Sequence, residues 1–281
     1  MREPELFSII ILAYRNEQYL RCAVDSVLAQ DYPALELIVA DDGSPTFDGA
    51  GIEAYIAAHR GPNLRRALVY QNPENLGTVR SINRALERAE GRYLKLLAAD
   101  DALYDGQVLS RAKEALEASP DGIITTRVMK CGPDLAPRSL LRDGFARALP
   151  RRSPEEVFRR LCVHNEIVGV GVFFTRAFWG RFGPFDESYR LLEDWPTWLR
   201  VSREGGRIGF GDFIAAKYRC DVGAATGVNP AYLADKKRTF AREIRPYWKI
   251  IGLGTVLRSW LTMKLRDSLP VRKFYGLIFR R

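Results

Sequence analysis

Two short apolar runs in this chain each close on a pair of aspartates, and no other feature constrains the fold as much. Leu35 to Ala40 runs into Asp41-Asp42-Gly43-Ser44, and Tyr93 to Ala99 runs into Asp100-Asp101. A short apolar segment bounded by turn residues reads as a buried strand. Carboxylates at its C-terminal end emerge at the mouth of a parallel sheet, where open α/β folds bind ligands. A third acidic pair, Glu193-Asp194, precedes a helical pattern. The three pairs together predict a site for a metal and a phosphorylated ligand.

The first 110 residues alternate between strand and helix signals. Strands are expected at Phe7 to Leu12, Leu35 to Ala40, Ala67 to Tyr70 and Tyr93 to Ala98. Helices are expected at Glu17 to Gln30, Ile52 to Ala58 and Thr78 to Ala89. Such alternation implies a mostly parallel sheet with helices on its faces. Further on, Asp121 to Thr126 and Ile167 to Thr175 read as strands, and 133–150 as a basic loop. Ser153-Pro154-Glu155-Glu156 opens a helix with a capping box. Trp195 to Glu204 is helical, and Ile208 to Ile214 and Ala216 to Arg219 are short extended segments.

Charge is uneven. Residues 231–281 carry 13 Lys+Arg against 3 Asp+Glu, while the remaining 230 residues are balanced at 30 against 31. That basic stretch interleaves Trp248, Ile250, Ile251, Leu253, Leu257, Trp260 and Leu261, and Pro246 and Pro270 divide it. It suits contact with an anionic membrane surface, or packing on the rest of the protein. The expected organisation is 1–110 and 111–230 as halves of one domain, then a basic amphipathic helical tail over 231–281. No secretory leader pattern and no apolar run of membrane-spanning length is present. Cys22, Cys131, Cys162 and Cys220 are scattered, which predicts reduced thiols and a cytoplasmic protein.

Asp41-Asp42 offers acceptors for a nucleobase N–H or a ribose hydroxyl, or is a plain Asp-Gly turn. Asn75 to Asn83 is a glycine turn into a helix; Arg80 either reaches a diphosphate or is a surface arginine. Asp100-Asp101 suits Mg²⁺ or Mn²⁺ on a diphosphate, or caps the helix that follows. Asp194 is either a helix cap or a general base. Trp195 offers an acceptor-sugar platform, and Trp198 reads as core. Gly169-Val170-Gly171 lacks the setting of a dinucleotide fingerprint, no P-loop is present, and His59 and His164 share no metal spacing.

In order, these segments resemble the family 2 glycosyltransferases of the GT-A fold. The carriers are Ser8 to Asn16, Asp41 to Ser44, Asn75 to Asn83, Gly91 through Asp101, Gly183 through Asp194, and Thr197 to Val201. The departures are Leu12 for a proline, Arg15 for an asparagine and Ala98 for the first aspartate of D-x-D. Tyr218-Arg219-Cys220-Asp221 stands where the family often has a histidine.

The resemblance implies an α/β Rossmann-like sheet and an inverting transfer from a UDP-, dTDP- or GDP-linked sugar to a glycan or lipid-linked acceptor. That points to cell-surface polysaccharide biosynthesis at the inner membrane face. Asp194 would be the general base, with Glu193 second choice, and Trp195 would meet the acceptor. Ala13, Tyr14, Glu17, Asp41 and Asp42 would contact the donor nucleotide, as would Gly77, Arg80 and Asp100. Asp101 and Asp100 would bind the metal. A non-catalytic nucleotide-sugar-binding or scaffold protein is the alternative, and no nucleic-acid partner is expected.

Overall fold

The structure, a computed structural model, describes residues 4–220 and 229–267. Its strands are β1 (Phe7–Ala13), β2 (Leu35–Asp41), β3 (Leu64–Gln71), β4 (Tyr93–Ala98), β5 (Ala102–Leu103), β6 (Ile123–Cys131), β7 (Pro137–Leu140), β8 (Val172–Thr175) and β9 (Gly209–Arg219). The helices are α1 (Glu17–Leu28), α2 (Gly49–His59), α3 (Thr78–Arg88), α4 (Val108–Ala118), α5 (Gly144–Ala148) and α6 (Pro154–Leu161). They continue with α7 (Arg176–Phe182), α8 (Asp194–Arg203), α9 (Pro230–Thr239), α10 (Trp248–Ile251) and α11 (Leu253–Asp267).

The strands form one sheet in the order β3-β2-β1-β4-β8-β6-β9-β5, with β7 added on β6. From β3 to β4 every pairing is parallel; β8 runs antiparallel to both β4 and β6, and β9 returns parallel to β6. β1 is central, and its residues alternate between the two faces. Phe7, Ile9, Ile11 and Ala13 join the core beneath α1, α2 and α4, while Ile10 joins the core beneath α3, α6 and α8. A strand covered on both faces needs a nearly continuous apolar run, interrupted here only by Ser8, whose buried hydroxyl donates to the Glu36 carboxylate. Truncating one such buried isoleucine to alanine costs about 2–5 kcal/mol.

Register sets the site. Ala13 pairs with Asp41, and Leu12 pairs with both Ala40 and Ala98. The ends of β1, β2 and β4 are therefore level, and Tyr14, Asp42 and Asp100 leave the sheet side by side.

Several elements differ from the sequence expectation. Ile167 to Thr175 is not one strand: Gly169–Gly171 forms a 3₁₀ turn and only Val172–Thr175 pairs. Glycines at 169 and 171 weaken a strand. Gly171 is also closely packed, since a Cβ there would lie 3.0 Å from Val128 Cγ2 and 3.3 Å from the Thr126 carbonyl oxygen. The 133–150 segment holds β7 and α5, and the two extended pieces after Ile208 are one strand, β9. Helix α7, capped by Thr175 Oγ1 accepting from Phe178 N at 3.1 Å, was not signalled. The capping box of α6 forms, with Ser153 N donating to Glu156 Oε2 at 2.7 Å and Glu156 N to Ser153 Oγ at 3.2 Å. The core does not stop at residue 230: Ile244 and Ile251 pack in the same cluster as α6 and α8.

Candidate active site

A cavity of about 1130 Å³ opens at the C-terminal ends of β1, β2 and β4. Ala13, Tyr14, Asp42, Gly77, Asp100 and Asp101 line its strand side. Asn165, Gly169, Glu193, Asp194, Trp198, Tyr218 and Tyr232 line it as well.

The Asp41-Asp42 turn is an organiser. Asp41 is fully buried; its carboxylate accepts from Ser44 N at 2.7 Å, Ser44 Oγ at 2.6 Å and Gln71 Nε2 at 3.0 Å. Asp42 accepts from Asn72 Nδ2 and Asn75 Nδ2, from the backbone N–H of Leu76 and Gly77, and from Ser81 Oγ, at 2.5–3.1 Å. Gly43 turns the chain at φ +78°, and a Cβ there would lie 2.5 Å from the Glu74 carbonyl carbon. Gly77, at φ +86°, lets Arg190 pass where a Cβ would meet its carbonyl oxygen at 2.7 Å.

Asp100 and Asp101 sit almost fully buried in the cavity wall. Asp101 Oδ1 accepts from Arg219 N at 2.9 Å, and Arg219 Nε donates to the Asp100 carbonyl at 2.8 Å. Arg219 and Asn16 favour the ionised Asp100 carboxylate. Burial raises the carboxyl of Asp100, and burial together with the neighbouring Asp100 charge lifts Asp101 to about 8. Beneath them lies Lys95, fully buried, its ammonium donating to the carbonyls of Val170 and Val172 and lowered by burial to about 7. The pair offers hard oxygen donors whose charge is poorly compensated, which fits a divalent cation completing its shell with phosphate and water. Among the described residues no three side chains cluster as metal ligands, and Asp221, after the Tyr218-Arg219-Cys220 stretch, lies outside them.

Glu193 and Asp194 stand at the start of α8, reached by solvent through the cavity but walled by protein. Asn165 Nδ2 donates to Asp194 Oδ2 at 2.9 Å. A Cβ on Gly169 would come within 3.4 Å of Glu193 Oε1 and 3.6 Å of Asp194 Cβ. Burial raises both carboxyls; the Asp194 charge lifts Glu193 further, while hydrogen bonds from Trp195 N and Asn165 hold Asp194 back. A half-sheltered carboxylate of raised basicity is what proton abstraction near neutral pH requires.

The sequence model of "Glycosyl transferase family 2" matches residues 8–188, more than half of the chain. The chain belongs to glycosyl transferase family 2. Among curated proteins, this glycosyltransferase is 31% identical over 198 residues to the PGL/p-HBAD biosynthesis glycosyltransferase of Mycobacterium tuberculosis, covering 69% of each chain. It is 28% identical over 200 residues to a glycosyltransferase of Rickettsia typhi, covering 70% of its own length and 59% of that protein. Among solved structures, the TarS 1–349 fragment of S. aureus in complex with UDP-GlcNAc superposes with a TM-score of 0.65 at 18% identity. That match covers 98% of this chain and 76% of the other. The mannosyltransferase PcManGT of Pyrobaculum calidifontis, in complex with GDP-Man and Mn²⁺, gives 0.61 at 18% identity, covering 98% and 79%. The chain spans just under half, 46%, of a longer solved TarS chain of S. aureus. The glycosyltransferase thus has the GT-A fold.

In this glycosyltransferase the expected site residues divide. Ala13, Tyr14, Asp42, Gly77, Asp100, Asp101, Glu193 and Asp194 meet at one cavity. Four do not line it. Asp41 is consumed by its own turn. Glu17 faces Thr46, whose hydroxyl donates to it at 3.2 Å. Arg80 points outward to Glu187, with 3.6 Å between charged atoms. Trp195 is no acceptor platform: it is buried and its indole N–H donates to the Leu161 carbonyl at 2.8 Å. Trp198, one turn on, is core as expected; it is buried, touches the cavity wall and donates to the Ile167 carbonyl at 3.1 Å. Sequence reasoning missed Lys95, Asn165 and Tyr232. Lys95 carried a legible signal, a lysine inside an apolar strand; the other two carried none.

Proposed function

We propose that this enzyme moves a sugar from a nucleoside-diphosphate sugar onto a hydroxyl of a glycan or glycolipid acceptor, with inversion at the anomeric carbon, in building a cell-surface glycan. The observation that carries the reading is the meeting of both acidic pairs, Asp100-Asp101 and Glu193-Asp194, at one cavity from different elements. Structures of the same fold bind UDP-GlcNAc and GDP-Man, which supports the donor class. The mycobacterial relatives' names support a biosynthetic transfer.

In the proposed step the acceptor oxygen bonds to the anomeric carbon as the bond from that carbon to the diphosphate oxygen breaks. The breaking bond's electron pair leaves with the nucleoside diphosphate, and the acceptor's proton passes to Asp194. General-base help of this kind is worth ~10²–10⁴-fold. Burial raises the basicity of Asp194, and Asn165 orients it. Glu193, in contact with the same Gly169 turn, is the second candidate. Tyr14 and the 75–77 turn held by Asp42 shape the nucleotide side. Asp100 and Asp101 would hold a divalent cation, Mn²⁺ or Mg²⁺, which when bound offsets the charge of the departing diphosphate.

Contact with an anionic membrane surface belongs to the same reading. In α10 and α11, Trp248, Ile250, Leu253, Leu257, Trp260 and Leu261 are exposed, whereas Ile251 is buried. Lys249 and Lys264 lie over the Trp248 and Trp260 rings. Aromatic and aliphatic groups beside cations suit an anionic lipid interface. No described helix is long and apolar enough to cross a membrane. The expected segment 268–281 lies outside the described residues. Cosedimentation should be strong with phosphatidylglycerol vesicles and weak with phosphatidylcholine vesicles; equal binding to both, or none to either, would defeat this part.

The test of the transfer itself is thermal unfolding with UDP, dTDP, GDP, UDP-GlcNAc and GDP-mannose, with and without Mn²⁺. A nucleotide bound well above its dissociation constant raises the melting temperature by linkage. We expect a Mn²⁺-dependent rise with one base. No rise with any of them would sink the donor assignment.

A further inference from the structure

We propose that Asp235, on α9, is a positioning residue for the transfer: it fixes the backbone of residues 190–192 and so the orientation of Glu193-Asp194. The inference rests on the reading of that pair as the base.

Asp235 is almost fully buried, and one of its oxygens, Oδ2, accepts three consecutive backbone N–H groups. These are Arg190 at 2.9 Å, Leu191 at 2.7 Å and Leu192 at 3.2 Å. Successive N–H groups that converge in this way make an anion-binding concavity. Here the anion is a carboxylate delivered from more than forty residues away, and the residue after the concavity is Glu193. The opposite side of the segment is tied to the donor half of the site. Val79 N donates to the Arg190 carbonyl at 3.2 Å, and the Arg190 guanidinium donates to the Asn75 carbonyl at 3.2 Å and to its side-chain oxygen. Asn75 and Gly77 are themselves held by Asp42. The base-bearing segment is thus strung between the turn that Asp42 organises and α9.

Helix α9 carries its own cap and a buried internal hydrogen bond at Asp235. Asn229 caps it, accepting from Ala231 N at 3.0 Å, and the buried Thr239 hydroxyl donates to the Asp235 carbonyl at 2.9 Å. Tyr232, one turn before Asp235, lines the cavity. The family match ends at residue 188, so both the segment and its latch lie beyond it.

The test compares Asp235→Asn, Asp235→Glu and Asp235→Ala in the full chain. It reads release of UDP from UDP-GlcNAc or GDP from GDP-mannose, binding of UDP and GDP, and amide exchange at 190–192. We expect kcat to fall in the order in which amide protection is lost. Asn should keep most of both, because its oxygen still accepts, and Ala should lose on the order of 10- to 100-fold in kcat, the cost of a small misplacement. Nucleotide affinity should stay within about twofold of the parent in each variant. A folded variant that loses the protection and keeps kcat, or keeps the protection and loses kcat, would overturn the proposal. An accompanying Asp194→Asn variant separates the two readings: if it keeps turnover, the base assignment is what has failed.

Discussion

Two Asp-Asp pairs stand at the ends of β2 and β4, the parallel strands on either side of β1, buried to similar depth, and they are treated in opposite ways. Asp42 accepts five hydrogen bonds, and Asp41 accepts three. Each carboxylate answers a set of donors, so the desolvation of its charge is offset and the charge is spent on holding the Ser44 and Asn75–Gly77 turns. Asp101 accepts from Arg219 N, and its desolvation is not offset; burial and Asp100 push it up to about 8. The first pair's carboxylates are used up in building turns, whereas Asp101 is left with a buried charge short of partners. The same dipeptide therefore says little until its donors are known.

The widest separation expected is between Asp194 and everything else. Asp194→Asn should lower turnover by ~10²–10⁴-fold while leaving nucleotide binding intact, read by steady-state release of the nucleoside diphosphate. Next comes Asp42→Ala, which strands donors worth roughly 1–3 kcal/mol for each buried group left unsatisfied. Its melting temperature should fall by at least roughly 5 °C. A small change would show that the network is not what holds the donor turn.

Asp101→Asn should behave in reverse, holding or raising stability without metal and abolishing the Mn²⁺-dependent shift with nucleotide. The pH dependence has a definite sign. An unfolded aspartate ionises near 3.8 and the folded Asp101 near 8, so the folded state holds a proton that the unfolded state has released between those values. That contribution is full below pH 3.8 and is lost as pH rises through 8. The stability of Asp101→Asn relative to the parent should therefore grow across that window, by at most about 1.4 kcal/mol per pH unit. A difference flat with pH would remove the contrast between the two pairs. The smallest effect belongs to Arg80→Ala. Its exposed pair with Glu187 is worth under about 1 kcal/mol, and nucleotide affinity should stay within about twofold. A larger loss of affinity would return Arg80 to the donor site.

Much of this was legible along the chain. The apolar runs before Asp41 and Asp100 located β2 and β4, because a strand covered on both faces needs continuous apolar residues. The turn chemistry of Gly43 and the capping box at Ser153 are local and could be read from spacing. Trp198 could be read as core, and it is; Trp195 could not, because only the packing of α6 against α8 turns it inward to the Leu161 carbonyl. Arg80 failed for a related reason, since its direction is set by Glu187, more than a hundred residues on.

By itself the sequence determined the alternating architecture and the family. It also determined which carboxylates stand at strand ends, because periodicity, turns and short-range spacing are properties of neighbours in the chain. The tertiary structure decided which of those carboxylates are filled and which are left short. That outcome depends on donors from Asn72, Asn75 and Ser81 at Asp42, and on the single backbone donor Arg219 at Asp101. Hydrogen bonding and desolvation act over a few ångströms in space, whatever the separation along the chain.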